Sequence, residues 1–194
     1  NVTGVGKVKK GKIVSTGGLK PGDEIVMTKW AGLEGTSIIA AEKEEKLLET
    51  LPRELVDVAK GFKEYLSVIP ESKIAMEVGV SAMHDVTEGG VFGALWELGE
   101  ASGVGITAHL DKIPIKQETI EVCEVFKINP YMLISSGSMM IGCEKGNLLV
   151  EKLEEAGINA AVIGRATEGN DRIVVSRDET RYIGPAGSDE LYKI

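Results

Sequence analysis

The chain has 194 residues, 43% of them hydrophobic and 27% charged, which allows one substantial core, or one domain with a piece of another. No stretch approaches the ~20 consecutive apolar residues of a membrane helix, and the first four residues lack the basic and apolar parts of a secretory signal. A net charge of −8 argues against binding of nucleic acid or an anionic membrane through a broad basic face. Two cysteines without metal-ligand spacing, Cys123 and Cys143, predict a cytoplasmic protein with reduced, buried thiols.

The first third of the chain shows mainly strand patterns. Residues 5–16 predict a β-hairpin around a polar, glycine-containing turn. Pro21-Gly22 suits the centre of a type II turn, and a short strand is expected at 24–28. A glycine-punctuated loop at 32–36 then opens into an apolar stretch.

Helical spacing follows from residue 42 to residue 66, interrupted by Pro52. Since proline is tolerated in a first turn, this pattern predicts two consecutive helices. Residues 74–80 are expected to form a helix or an ordered approach to the next element. A helix is predicted at 91–101, ended by Gly103.

The remaining pattern alternates without a strict strand–helix–strand order. It predicts a strand at 106–110, a helix at 116–126, strands at 131–135 and 139–143, a helix at 148–156, and strands at 160–164 and 172–176. The tail from residue 184 is expected to be loosely held. The fold class predicted is α+β, a mixed, largely antiparallel sheet covered by helices. Six side chains are predicted to be buried: Leu55, Val58, Phe62, Leu95, Trp96 and Leu98.

Residues 85–90, Asp-Val-Thr-Glu-Gly-Gly, form the segment with the most chemical content. The N-terminus of a helix attracts anions through its unpaired N–H groups, and glycine lets a phosphate approach the backbone. Asp85 could hold Mg²⁺ through a carboxylate oxygen. The alternative is a capping box, because Asp85 and Glu88 have its spacing.

Two further segments could line a polar pocket. Residues 134–139 place three serines around Gly137 between apolar stretches, and the alternative there is an ordinary tight turn. Residues 32–36 are glycine-rich before an expected helix, and could equally be a helix-entry loop. No Walker A sequence or dinucleotide fingerprint occurs. His84 is adjacent to the first loop and could reach a substrate, whereas His109 lies in a predicted strand and is expected to be structural.

Four segments, in order, resemble the carboxy-terminal domain of the aminoimidazole ribonucleotide (AIR) synthase-like superfamily. They are 19–26 (Leu-Lys-Pro-Gly-Asp-Glu-Ile-Val), 32–36 (Gly-Leu-Glu-Gly-Thr), 85–90, and 101–106 (Ala-Ser-Gly-Val-Gly-Ile). The superfamily includes AIR synthase, formylglycinamidine ribonucleotide synthetase, selenophosphate synthetase, thiamine-monophosphate kinase and HypE-type factors. The last two segments look most like HypE-type hydrogenase expression/formation proteins and AIR synthase-related proteins. The resemblance covers roughly residues 5–176.

In that superfamily an amino-terminal domain supplies most of the ATP and Mg²⁺ site and usually the homodimer interface. The resemblance therefore implies three parts: residues 1–18 as the end of that ATP-binding domain, 19–176 as the carboxy-terminal domain, and 177–194 as a tail. ATP and Mg²⁺ are the implied cofactors of a full-length protein, with no tight binding by this chain alone. The implied partners are a small-molecule substrate, the chain's own amino-terminal domain and a second copy.

Members of the superfamily use ATP to activate an amide-like oxygen or to phosphorylate a small substrate. Carried over onto this sequence, the catalytic candidates are Asp85, also the Mg²⁺ ligand, and Thr87. The substrate- and phosphate-binding candidates are Gly89, Gly90, Gly35, Ser136 and Gly137. HypE-type factors end in a cysteine-bearing tail, and neither cysteine here holds that position.

Three functions therefore stay open. The chain could be the substrate-side domain of an ATP-dependent enzyme, inactive by itself. It could belong to a hydrogenase-maturation dehydratase that lacks the cysteine tail. It could also be a non-catalytic binding or regulatory module on the same fold.

Overall fold

The computed structural model describes residues 3–177, 179–185 and 187–194, which fold around a seven-stranded mixed sheet of order β2-β4-β1-β5-β3-β6-β7. The strands are β1 (Glu24–Thr28), β2 (Ala82–Asp85), β3 (Gly105–His109), β4 (Met139–Cys143), β5 (Ala160–Thr167), β6 (Arg172–Ser176) and β7 (Glu179–Tyr182). Among these strands β3 and β6 pair in parallel, and the other neighbours pair antiparallel. The predicted α+β fold class is confirmed.

Helices cover both faces of this sheet. They are α1 (Leu33–Glu42), α2 (Glu44–Leu47), α3 (Arg53–Lys60), α4 (Ile69–Val78), α5 (Gly90–Ser102), α6 (Gln117–Phe126) and α7 (Gly146–Glu155). Successive side chains of a strand point to opposite faces, so Ile25 and Met27 pack in the cluster that contains α5, whereas Val26 packs with α4 and α7. None of the described helices is both long and apolar enough to cross a membrane.

A third cluster, which we call the helical cluster, joins α1, α3 and α6. It contains Ile39, Val56, Ala59, Val122 and Leu133. Leu133 belongs to the irregular segment before β4, so the cluster ties these helices to one end of the sheet. Pro52 is the residue before α3, which confirms the two-helix interpretation of this region.

Several predictions of single elements are wrong. Residues 5–14 form no strand; only the turn remains, with the Lys12 N–H bonded to Lys9 O at 3.0 Å. Val5, Val8 and Ile13 are exposed there, so the apolar side chains find no partner surface. An isolated two-stranded hairpin is only marginally stable. Residues 131–135 are also not a strand. Pro130–Met132 form a 3₁₀ turn, because the Asn129 side chain accepts the Tyr131 N–H.

Burial also differs from prediction in α3 and α5. Val58 is 49% exposed, because the inward stripe of α3 is formed by Val56 and Ala59. Leu55 and Trp96 are only half-buried. Phe62, Leu95 and Leu98 are buried as predicted.

The end of the chain is more ordered than the sequence predicts. Residues 179–182 form β7 beside β6, and Glu190–Lys193 form a 3₁₀ helix. Asp189 and Glu190 are buried, and Leu191 and Ile194 pack against the helical cluster. The prediction of a loosely held tail is therefore wrong for residues 189–194, whose apolar side chains find a surface that the sequence did not show.

Candidate functional site

The segment from Asp85 to Gly90, which we call the α5 loop, connects an edge strand to a helix. Asp85 is the last residue of β2 and pairs with Met139 of β4. The chain then leaves the sheet, with the Val86 N–H bonded to Ser138 O at 3.0 Å. Gly89 and Gly90 both have positive φ, 80° and 61°, which favours glycine.

Gly90 also lies too close to its neighbours for any side chain. A Cβ at this position would come within 2.7 Å of both Leu133 O and Tyr131 O. The absence of a side chain therefore lets α5 begin directly against residues 131–133. The Gly90 N–H donates to Thr87 O at 3.1 Å within the loop.

The capping-box alternative for this loop is wrong. The residue that caps α5 is Gly89, which has no side chain, and Asp85 lies four residues earlier. The Asp85 side chain is exposed and Thr87 is half-buried. Within the described residues, neither side chain has a hydrogen-bond or ion-pair partner, so both are available to a ligand.

A carboxylate from residues near the end of the chain accepts a hydrogen bond from the N–H group of the residue that caps α5. Asp189 Oδ2 accepts the Gly89 N–H at 2.7 Å, and Asp189 Oδ1 accepts the Leu191 N–H at 2.9 Å. Sequence analysis missed Asp189, because its partner is 100 residues away. Its position before the 3₁₀ helix is a recognisable cap signal, but that signal does not identify Gly89.

A cavity of about 490 Å³ lies beside the N-terminal turn of α5. Gly89, Phe92 and Gly93 line one side, and Arg181 and Tyr182 of β7 line another. The Phe92 ring stacks on Tyr131 with centroids 5.5 Å apart, and burial raises the pKa of Tyr131. The cavity joins an apolar wall to a helix N-terminus and a guanidinium group.

The segment from Ser135 to Ser138, which we call the serine loop, commits most of its polar groups internally. Ser135 Oγ accepts the Gly32 N–H at 2.7 Å, and Ser138 Oγ donates to Trp30 O at 2.7 Å. A Cβ on Gly137 would lie 2.6 Å from Tyr65 O. Ser136 is half-buried and is the serine of this loop that has no hydrogen-bond partner among the described residues.

Lys29 holds the serine loop from beneath. Its buried ammonium donates to the carbonyls of Gly137, Tyr65 and Ser67 at 2.7–2.8 Å. It also lies 2.5 Å from the fully buried carboxylate of Glu71, as an ion pair rather than an aligned hydrogen bond. This contact is not visible in the sequence, because Lys29 and Glu71 are far apart along the chain.

Gly35 lies in the first turn of α1 rather than in a loop. Its N–H is bonded to Ile134 O at 3.0 Å, and a Cβ would lie 2.4 Å from Cγ of Leu133. The structure thus brings Gly35 and Gly90 to the same segment, residues 131–134, through close packing.

His84 connects three elements near the α5 loop. Its Nε2 lies 2.8 Å from Glu97 Oε2 of α5, and its Nδ1 lies 3.4 Å from Thr16 Oγ1. Both ring nitrogens are therefore engaged. His84 fastens the edge strand to α5 directly before Asp85, a positioning role that sequence analysis did not foresee.

The chain belongs to the family described as AIR synthase related protein, C-terminal domain, which matches residues 20–176. A hydrogenase expression/formation protein of Methanocaldococcus jannaschii is 30% identical over 90% of this chain and 51% of its own length. Carbamoyl dehydratase HypE of Rhodobacter capsulatus is 24% identical over 84% of this chain and 47% of its own length.

The fold is also that of solved HypE structures. The hydrogenase maturation protein HypE in complex with ATP superposes with a TM-score of 0.71 at 16% identity, over 92% of this chain and 55% of that one. The chain thus spans about half the length of the relatives that it matches. The resemblance to AIR synthase-related and HypE-type proteins is confirmed.

Proposed function

We propose that this chain forms the substrate- and phosphate-binding half of an ATP-dependent enzyme that activates an amide-like oxygen, or phosphorylates a small substrate. The α5 loop carries the proposal. An exposed carboxylate, Asp85, and a half-buried hydroxyl, Thr87, stand directly before the N-terminus of a 13-residue helix. Such a helix end favours a phosphate group. Family membership and the ATP-bound HypE structure support the same assignment.

Asp85 is the proposed Mg²⁺ ligand. No group of three or more His, Cys, Asp or Glu side chains that could hold a metal ion occurs within residues 3–177, 179–185 and 187–194. Mg²⁺ that is bound to a nucleotide commonly takes only one or two protein carboxylates, with phosphates and water as its other ligands. The exposed Asp85 fits a single ligand of that kind, and the remaining ligands would come from ATP and from outside this chain.

ATP, when bound, supplies the phosphoryl group that turns an amide-like oxygen into a phosphate leaving group. In our proposal the Thr87 hydroxyl orients the substrate or its phosphate. The backbone of Gly89 and Gly90 is the proposed phosphate-binding site, together with the N–H groups of Val91 and Phe92, for which the first turn of α5 has no carbonyl. Ser136 remains a candidate for substrate contact. Gly35 and Gly137 would serve the site through the close packing described above.

A carbamoyl dehydratase is the second candidate, favoured by the named activity of the Rhodobacter capsulatus relative. Both cysteines of the chain are buried, and burial raises the pKa of Cys123 to about 12 and that of Cys143 to about 11. Neither presents a thiolate at neutral pH. In such a reaction the thiol that carries the carbamoyl group would therefore belong to residues outside these 194.

We also propose how the three parts of the chain are organised. Residues 1–18 would end an amino-terminal ATP-binding domain, 19–176 would be the domain described here, and 177–194 its tail. That ATP-binding domain and a second copy of the protein are the proposed partners. A non-catalytic module on the same fold would need neither Asp85 nor Thr87.

Asp85→Asn in the complete protein that carries this chain tests the proposal. Asn keeps the size of the side chain but is a poorer Mg²⁺ ligand, so phosphate release at saturating Mg-ATP should fall at least ~10-fold while the melting temperature stays unchanged. Asp57→Asn, which alters an exposed carboxylate on α3, is the matched control and should keep full activity. Near-normal turnover by Asp85→Asn would remove Asp85 from the reaction.

A further inference from the structure

The last six residues, 189–194, place an anion of the protein itself at the entry of α5. The Asp189 carboxylate, 3% exposed, lies between two helix N-termini and accepts an N–H from each, at Gly89 and at Leu191. We call residues 189–194 the C-terminal segment. Its carboxylate occupies the position that our proposed function gives to a ligand phosphate.

The C-terminal segment makes a second contact with the same loop. Tyr192 Oη donates to Glu88 Oε1 at 3.2 Å, and this hydrogen bond raises the pKa of Tyr192. Leu191 and Ile194 pack against the helical cluster. The segment is thus docked on the loop by polar groups and on the helices by apolar ones.

Because both groups are negatively charged, the Asp189 carboxylate and a phosphate cannot both occupy the position at the Gly89 N–H. Glu88, Asp189 and Glu190 bring three carboxylates to the loop and the segment. Lys193 is already paired with Glu190 at 2.6 Å. A phosphate placed beside Asp189 would be repelled at short range, and the single proton of the Gly89 N–H is already donated.

We propose that Asp189 is an internal competitor, so that its seating on Gly89 and the binding of a phosphate group there exclude each other. The C-terminal segment then acts as a strap that a phosphate ligand must displace. This inference rests on the proposed function. The strap can leave without disturbing the sheet, because it is held by side chains and one backbone N–H and by no strand pairing.

The test is a titration of the 194-residue chain with pyrophosphate, followed through the backbone amide signal of residue 89 by NMR. Asp189→Asn keeps the shape and a hydrogen-bond acceptor but removes the charge, so it should fold normally and bind pyrophosphate ~10-fold more tightly than wild type. Asp189→Ala should gain at least as much. Tyr192→Phe, the matched control, loses the contact to Glu88 but keeps the carboxylate, so its affinity should stay within ~2-fold of wild type.

Gly89→Ala in the Asp189→Asn background separates the two proposals. It should abolish the gain in pyrophosphate affinity, since residue 89 has φ of 80° and a residue with a side chain disturbs the backbone there. If both Asp189 variants bind no better than wild type while Gly89→Ala still weakens binding, the strap is overturned and the phosphate site stands. If Gly89→Ala changes nothing in any background, the phosphate site fails as well. An equal gain in affinity from Tyr192→Phe would mean that any loosening of the C-terminal segment improves binding. That result would also overturn competition between the Asp189 carboxylate and phosphate.

Discussion

The α5 loop and the serine loop are neighbours with similar composition and different uses of their polar groups. The two lie where β2 ends and β4 begins, joined by the hydrogen bond from Val86 N–H to Ser138 O. The α5 loop combines two glycines of positive φ with the hydroxyl of Thr87, and the serine loop combines one such glycine, Gly137, with three serines. In the serine loop the polar groups are mostly bonded within the protein, whereas the α5 loop presents Asp85 outward.

This difference shows that composition alone does not identify a site. Buried polar groups destabilise the fold unless they are hydrogen-bonded. The serine loop therefore stabilises the fold because most of its polar groups have partners. An exposed carboxylate without a partner contributes little to folding. In this molecule the loop with fewer internal hydrogen bonds is the better candidate for chemistry. Variants of the two loops should therefore separate stability from activity.

Lys29→Met should produce the largest effect, on stability. It would leave the fully buried Glu71 carboxylate without its cation and free three carbonyls, at a cost of about 3–5 kcal/mol in the free energy of unfolding. Urea denaturation measures this. The double variant Lys29→Met with Glu71→Gln should recover part of the loss, because no buried charge remains. A loss below about 1 kcal/mol in the free energy of unfolding would show that this ion pair does not stabilise the fold.

Gly90→Ala should come next, with a loss of about 2–4 kcal/mol. It combines a left-handed backbone with contacts of 2.7 Å to two carbonyl oxygens. Gly103→Ala is the matched control, because Gly103 has φ of 66° but no atom within 4 Å of the added Cβ. Thermal unfolding should show a loss of about 1 kcal/mol for Gly103→Ala, which is the cost of the left-handed backbone alone. Equal losses would mean that the contact with residues 131–133 is not tight.

Much of the fold follows from local sequence patterns. The strand at 24–28, the helix after Gly90 and its end at Gly103 are marked by periodicity and glycine, and the structure has them. The failures occur where long-range contacts decide. β2 follows no alternating pattern and forms because β4 is beside it, while residues 5–14 have the pattern of a hairpin and lack a surface to cover.

The candidate site was predictable only as a list of residues along the chain. The sequence indicated the α5 loop, but the contacts of Asp189, Lys29 and Glu97 join residues 13 to 108 positions apart. No local rule pairs such residues. Gly35 and Gly137 show the converse limit, because a glycine required for packing and a glycine required for a ligand look the same in one sequence.

The smallest effect should separate two hydroxyl groups, one in each loop. Ser138→Ala removes the hydrogen bond to the partly buried Trp30 carbonyl, so it should cost about 1 kcal/mol in urea denaturation. Thr87→Ala removes a hydroxyl that has no partner within the described residues, so its cost should stay below about 0.5 kcal/mol. Activity of the complete protein should show the opposite order, since our proposal gives the Thr87 hydroxyl a ligand and gives Ser138 none. A Thr87→Ala variant that loses stability but keeps turnover would return this hydroxyl to a structural role, and the α5 loop would then resemble the serine loop after all.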